Sequence, residues 1–365
     1  MEQPRAEFER DSEPLNWNRC LLDGRTHCML ALVAWALSGS QSNPSIQVRW
    51  VDDAPRAALS ILRKEAAHQP VSEGDWGALF ESEGYRRLKD RENGMKRPFT
   101  DDDFRMFLST DSLIRKADSL QRTLDGWSKL DVEYLGRRSL KYLPAQAKLK
   151  ANVYPLIKPR TNSFVWDTDK DPAIMLYLDP AESPKRFAKT VVHELHHIGY
   201  ASCCPSPEFQ TWVHDQSNVR QQAWIWVGAF GEGYAVLAAA EGPRSDPMAA
   251  FEPNVKAAWT HGMNHLAEDM ETLTAFFTDS LTGKLSSDGV QTKAMEFYSV
   301  QGPWYTVGYI QATTIERAFG HEKLMACYLD PRLLMPTYNA AVAQLPKGAK
   351  LPTWPENLIE LLGKA

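Results

Sequence analysis

The sequence predicts a mainly helical α+β protein in which a small sheet leads directly into one helix that carries the chemistry. Three observations predict it. Apolar residues recur at helical spacing over most of 51–143 and again from 183 onwards. Short β-branched runs, bounded by prolines and turn residues, cluster between 151 and 178. The segment after them, Thr190-Val191-Val192-His193-Glu194-Leu195-His196-His197-Ile198-Gly199, combines helical periodicity with a His-Glu-x-x-His spacing.

The 365 residues suffice for one large domain or two modest ones, and 43% hydrophobic with 24% charged residues is an ordinary globular composition. A net charge of −5 gives no electrostatic footprint for nucleic acid. Twelve tryptophans and twelve tyrosines suggest broad aromatic packing or a ring-lined groove. The cysteines are Cys20, Cys28, Cys203, Cys204 and Cys327, without a Cys-x-x-Cys pair, so no zinc ribbon is expected. They read best as small buried hydrophobes, although the adjacent Cys203-Cys204 leaves thiol pairing open.

Residues 28–37 form the longest apolar run, too short to span a membrane, which takes about 20 residues. Arg19 and Arg25 precede it and small residues at 36–40 follow, the pattern of a secretory signal, so a secreted or periplasmic protein is expected. The acidic leader (Glu2, Glu7, Glu9, Asp11, Glu13) speaks against this; a buried apolar helix at 28–37 would instead leave the protein cytoplasmic. Residues 1–45 are thus read as leader and linker.

A helical N-terminal region is expected over 46–150. Ala54–Ala67 is amphipathic, the 75–88 stretch keeps the same period, and Thr100-Asp101-Asp102-Asp103 is an N-cap cluster opening a helix through Phe104 and Leu108. Helical stretches at 119–130 and 132–142 follow and end at Pro144. The region 151–345 is read as the metallohydrolase part, one continuous body with 46–150, and 346–365 as a tail that wraps. Strands are expected at 151–157, 163–166 and 173–178, and an edge strand of such a sheet can bind a peptide backbone by strand addition.

In the helix that follows, Ser183 is the expected N-cap, Pro184 the first helical residue and Gly199 the C-cap. Phe187, Val191, Leu195 and Ile198 form its core stripe. Residues four apart share a face, so His193 and His197 can both reach one Zn²⁺ at about 2.0–2.1 Å. Glu194, about 100° further round, can hold and deprotonate a water without being a ligand. His196 points elsewhere and reads as structural.

A His-His-Glu site needs a carboxylate from another element. Glu232, between glycines at the head of an alanine-rich helical stretch (219–240), is the choice, with Glu241 or Asp215 next. Cys203 stands where the metzincin pattern has its third histidine, but Gly199 is one position off that pattern, and a His-His-Cys site is the lesser alternative. His261 and His265 are four apart without the following glutamate and read as local structure. Tyr305, just past Gly302-Pro303, is the candidate to donate an O–H to a developing oxyanion. Tyr309, one turn on, and a histidine remain alternatives.

The 162–165 strand, His193-Glu194-Leu195-His196-His197-Ile198-Gly199, Gly231-Glu232-Gly233-x-Ala235 and Gly302-Pro303-Trp304-Tyr305-Thr306-Val307-Gly308-Tyr309 together resemble a bacterial family of zinc-dependent peptidases catalogued as a domain of unknown function with a gluzincin-like site. The resemblance runs from about residue 55 to 345. It implies zinc ligands His193, His197 and Glu232, with Glu194 as base. The expectation is therefore a zinc metallohydrolase acting on peptide or protein substrates, without nucleic acid or stable membrane insertion. The alternatives are a zinc hydrolase of non-peptide substrates and a non-catalytic helical binding protein with a structural zinc site.

Overall fold

The computed structural model describes residues 46–168, 170–346 and 350–363. The apolar run 28–37, with Cys20 and Cys28, lies outside them. The first described element is a strand that the helical reading of this region did not predict, β1 (Ile46–Trp50). Five residues give little local signal. Its strand character comes from a distant partner, β2 (Leu149–Leu156), which pairs with it in parallel, Ile46 opposite Leu149 and Trp50 opposite Val153.

Between these strands run seven helices: α1 (Asp53–Ala66), α2 (Glu73–Phe80), α3 (Glu83–Gly94), α4 (Asp101–Leu108), α5 (Asp111–Ile114), α6 (Ala117–Trp127) and α7 (Val132–Leu140). Their starts are set locally. Ser72 with Asp75 and Thr100 with Asp103 form reciprocal capping boxes that satisfy otherwise orphaned backbone N–H groups. Strands β3 (Phe164–Trp166) and β4 (Ala173–Tyr177) complete a sheet of order β1-β2-β4-β3. β4 is parallel to β2, and β3 is an antiparallel edge strand, Phe164 opposite Met175. The sheet thus draws strands from both the 46–150 and the 151–345 stretches.

The chain then enters α8 (Pro184–Ala201), the histidine helix, followed by α9 (Pro207–His214) and α10 (Asn218–Val227). The helical stretch expected at 219–240 is present and runs over Asn218–Ala240, with a 3₁₀ turn at Gly228–Phe230 between α10 and α11 (Gly231–Ala240). Although Asn218–Ala240 is apolar enough to cross a membrane, 83% of its most apolar window is buried in the protein, which makes it a core element. The remaining helices are α12 (Pro253–Asn264), α13 (Leu266–Leu281), α14 (Ser287–Glu296), α15 (Pro303–Phe319), α16 (His321–Leu329), α17 (Leu334–Val342) and α18 (Glu356–Gly363). The architecture is the predominantly helical α+β arrangement expected.

Two apolar cores flank α8. One lies between the sheet and α1–α7 and includes Leu59, Trp127, Val153, Ile174 and Phe187. The other fills the later helices around Phe230, Phe277, Trp304, Tyr328 and Trp354. The tail wraps as expected: Trp354 donates its indole N–H to Gln311 at 3.0 Å and exchanges two hydrogen bonds with Asn339.

Two glycines permit the closest helix approach. A Cβ on Gly233 of α11 would lie 2.0 Å from the Tyr309 nitrogen of α15, and one on Gly308 would lie 2.5 Å from the Phe230 carbonyl oxygen. Gly199 is a correction. It does not cap α8, which runs on to Ala201 with Ser202 as its C-cap. It sits inside the helix, where a Cβ would meet Leu143 Cδ1 at 2.4 Å.

Because backbone cannot yield as a side-chain tip can, Gly233→Ala should destabilise the fold by about 1–3 kcal/mol or more. Chemical denaturation measures it; an unfolding midpoint equal to the parent's would show that α11 and α15 need no such contact.

Candidate metal centre

The rotation of α8 is set by burial. Ser183 accepts the Arg186 backbone N–H at 3.2 Å and Pro184 opens the helix. Phe187, Val191 and Leu195 are fully buried, and a side chain of this kind contributes about 1.5–3 kcal/mol when removed from water. Trp127 stacks on Phe187 at 3.9 Å and Trp50 meets it edge-on at 5.9 Å. With that stripe held, His193 and His197 fall on the opposite flank, one turn apart, with Nε2 atoms 3.1 Å from each other.

Glu232 reaches the same point from α11, between Gly231 and Gly233. Its Oε2 lies 3.1 Å from His193 Nε2 and 3.3 Å from His197 Nε2. Among the described residues, these three form the one group of His, Cys, Asp and Glu side chains close enough to share a metal ion. The fit is geometric: donors at about 2.0–2.1 Å around a tetrahedral ion stand about 3.3 Å apart. It is also electrostatic, since three lone-pair donors this close repel unless a positive charge lies between them. Burial works against ionisation of Glu232, yet His197 and His193 hold its carboxyl well below the usual carboxylate range. Burial lowers the proton affinity of His197, but the Glu232 carboxylate outweighs it and raises the imidazole above its ordinary value.

Glu194 follows His193 on α8 and is half-buried. Burial raises its carboxyl above the ordinary value, against the pull of His193 and His197 and with the repulsion of Glu232. The Tyr305 ring lies over His193, centroids 6.3 Å apart and planes 18° apart, and its hydroxyl interacts with Glu232; burial is the main cause of its raised pKa. Tyr309 is placed elsewhere, its ring edge-on to Trp259 at 5.1 Å.

The other expected candidates lie outside this group. Glu241 pairs with Arg138, Asp215 caps α9, and the Cys203 sulfur faces the Gly199 carbonyl and Cys204. The His261 and His265 rings pack tilted against each other, centroids 4.0 Å apart, and His265 Nδ1 is 2.8 Å from the His261 carbonyl oxygen. His196 is buried with Nε2 donating to the Tyr142 carbonyl at 3.1 Å, which ties α8 to the segment after α7. Tyr298, given no role from sequence, meets Tyr305 edge-on at 6.5 Å and lies within electrostatic range of Glu232. Helical spacing could not have found it, because the Gly302-Pro303 break separates it from α15.

A family model described as "Putative zinc dependent peptidase (DUF5700)" matches residues 76–347. No curated protein and no solved structure matches the chain. The matched span takes in α8, α11 and α15, and so every residue of the centre; it begins later than the 55 expected from the resemblance.

Burial pushes His196 down from 6.5 to about 3. The unfolded chain therefore takes up this proton first, so the stability contributed by neutral His196 is complete above about 6.5 and drains away as pH falls towards 3. Denaturant midpoints measured between these limits should fall less steeply for His196→Phe than for the parent; parallel curves would remove His196 from the acid response.

Proposed function

The chain belongs to the family whose model covers residues 76–347, and on that premise we propose that it is a zinc-dependent peptidase with His193, His197 and Glu232 as metal ligands and Glu194 as general base. The observation that carries the reading is the triangle of donor atoms, 3.1, 3.1 and 3.3 Å on its sides, with a second carboxylate beside it on α8. A purely structural zinc site closes all four positions with protein ligands, whereas three ligands and a neighbouring base suit catalysis.

Zinc held there supplies Lewis acidity, which polarises a carbonyl and acidifies water. The rest falls to the chain's own groups. Glu194, with its raised proton affinity, accepts a proton from the attacking water and delivers it to the leaving amine nitrogen. The Tyr305 hydroxyl donates to the oxygen of the scissile carbonyl as it gains negative charge. The edge strand β3 pairs with β4 on one side only, and an extended substrate backbone would hydrogen-bond along its other side. The partner is thus a peptide or protein, with neither nucleic acid nor stable membrane insertion involved. Export is part of the same proposal, on the strength of the apolar run 28–37 behind Arg19 and Arg25.

Glu194→Gln should keep the parent's zinc content while peptide hydrolysis falls by about 10²–10⁴-fold. Hydrolysis at the parent rate would sink the assignment of the base. Tyr305→Phe should lower kcat by about 10²–10³-fold with KM near the parent's; unchanged kcat would return Tyr305 to packing alone.

A further inference from the structure

Cys203 and Cys204 stand at the C-terminal end of α8, just past its last turn, and neither belongs to the metal centre. Their sulfurs are 3.3 Å apart. Both backbone N–H groups donate to the Tyr200 carbonyl, at 3.1 and 2.8 Å, so the pair is held as a direct continuation of the helix that carries His193 and His197. The two thiols are unequal. Cys203 is half-buried, and Cys204 is buried. Among the described residues Cys327 is the other free thiol, and it is buried too.

We propose that Cys203 and Cys204 form a redox-active vicinal dithiol, which a low-molecular-weight disulfide oxidises reversibly to an intramolecular Cys203–Cys204 disulfide while Cys327 stays reduced. The geometry supports this order of events. The contact with the Cys204 sulfur holds Cys203 below the ordinary thiol value, whereas the same pairing and burial push Cys204 up. Cys203, the more exposed and more readily ionised sulfur, is therefore the attacking thiolate.

The chemistry balances without a further reactant. Cys203 thiolate attacks one sulfur of RSSR, forming a Cys203–SR mixed disulfide and expelling RS⁻, which takes up the proton lost by Cys203. Cys204 then loses its proton, attacks the Cys203 sulfur and expels the second RS⁻, which leaves as RSH. The two cysteines are oxidised by two electrons, and RSSR is reduced to two RSH. Adjacent Cα atoms are about 3.8 Å apart, less than the about 4.4–6.8 Å that disulfides ordinarily span. The product is accordingly strained and readily reduced, which suits a reversible device better than a permanent staple.

The test uses the reduced full-length protein, incubated with oxidised glutathione, alkylated, digested with trypsin without reduction and mapped by mass. Residues 190–220 form one tryptic peptide that carries only these two cysteines, and Cys327 lies on another, 324–332. The 190–220 peptide should be unalkylated and about 2 Da lighter than its dithiol form, should regain both thiols with dithiothreitol, and should leave Cys327 alkylated. A lasting glutathione adduct on the parent, a link to Cys327, or two alkylated thiols at 203 and 204 would each overturn the proposal. Cys204→Ser should trap glutathione on Cys203, and Cys203→Ser should take up none; an adduct on Cys204 in the latter would reverse the roles and refute the order given. None of these readouts depends on hydrolytic activity.

Discussion

Gly233 on α11 and Gly308 on α15 meet where no side chain fits, and the position of the candidate centre depends on that contact. α11 carries Glu232 one residue before its glycine, and α15 carries Tyr305 one turn before its own. Pressing the two backbones together brings carboxylate and phenol to the same point on the polar flank of α8. The apolar stripe of α8, clamped by Trp127 and Trp50, sets the rotation at which His193 and His197 meet them. Helix packing on both sides of α8 thus sets where the two histidines and Glu232 converge.

The centre also separates two carboxylates by environment. Glu232 faces two imidazoles and is held well below the carboxylate range, whereas burial raises Glu194. One group is suited to stay charged and bind a cation, the other to exchange a proton. On the proposed reading, this difference suits Glu232 to the metal and Glu194 to the proton. His196, between the ligands in sequence, has a third environment: neutral, buried and tied to the Tyr142 carbonyl.

What was legible in the sequence follows from how local each signal is. His193, Glu194 and His197 could be placed on one helix because the apolar stripe and the Ser183-Pro184 start are encoded within a single element. Glu232 was legible for a different reason, since a carboxylate between glycines invites close approach. Other features rest on tertiary contacts that no local pattern carries. β1 owes its conformation to β2, far along the chain, and Gly199 mimics a helix terminus although it lies inside α8, packed on Leu143. The hydrogen bond from His196 to Tyr142 uses a backbone carbonyl, which any residue would supply. Tyr298 reaches Tyr305 only across a turn that resets the helical phase.

In the centre proposed, Glu232, and no sulfur ligand, completes the metal site begun by the two histidines. X-ray absorption at the zinc edge of the zinc-loaded protein tests it most directly. Two imidazole nitrogens and an oxygen-only remainder at about 2.0–2.2 Å are expected, with one oxygen lost or replaced in Glu232→Ala. A sulfur shell at about 2.3 Å, or a spectrum that Glu232→Ala leaves unchanged, would contradict it.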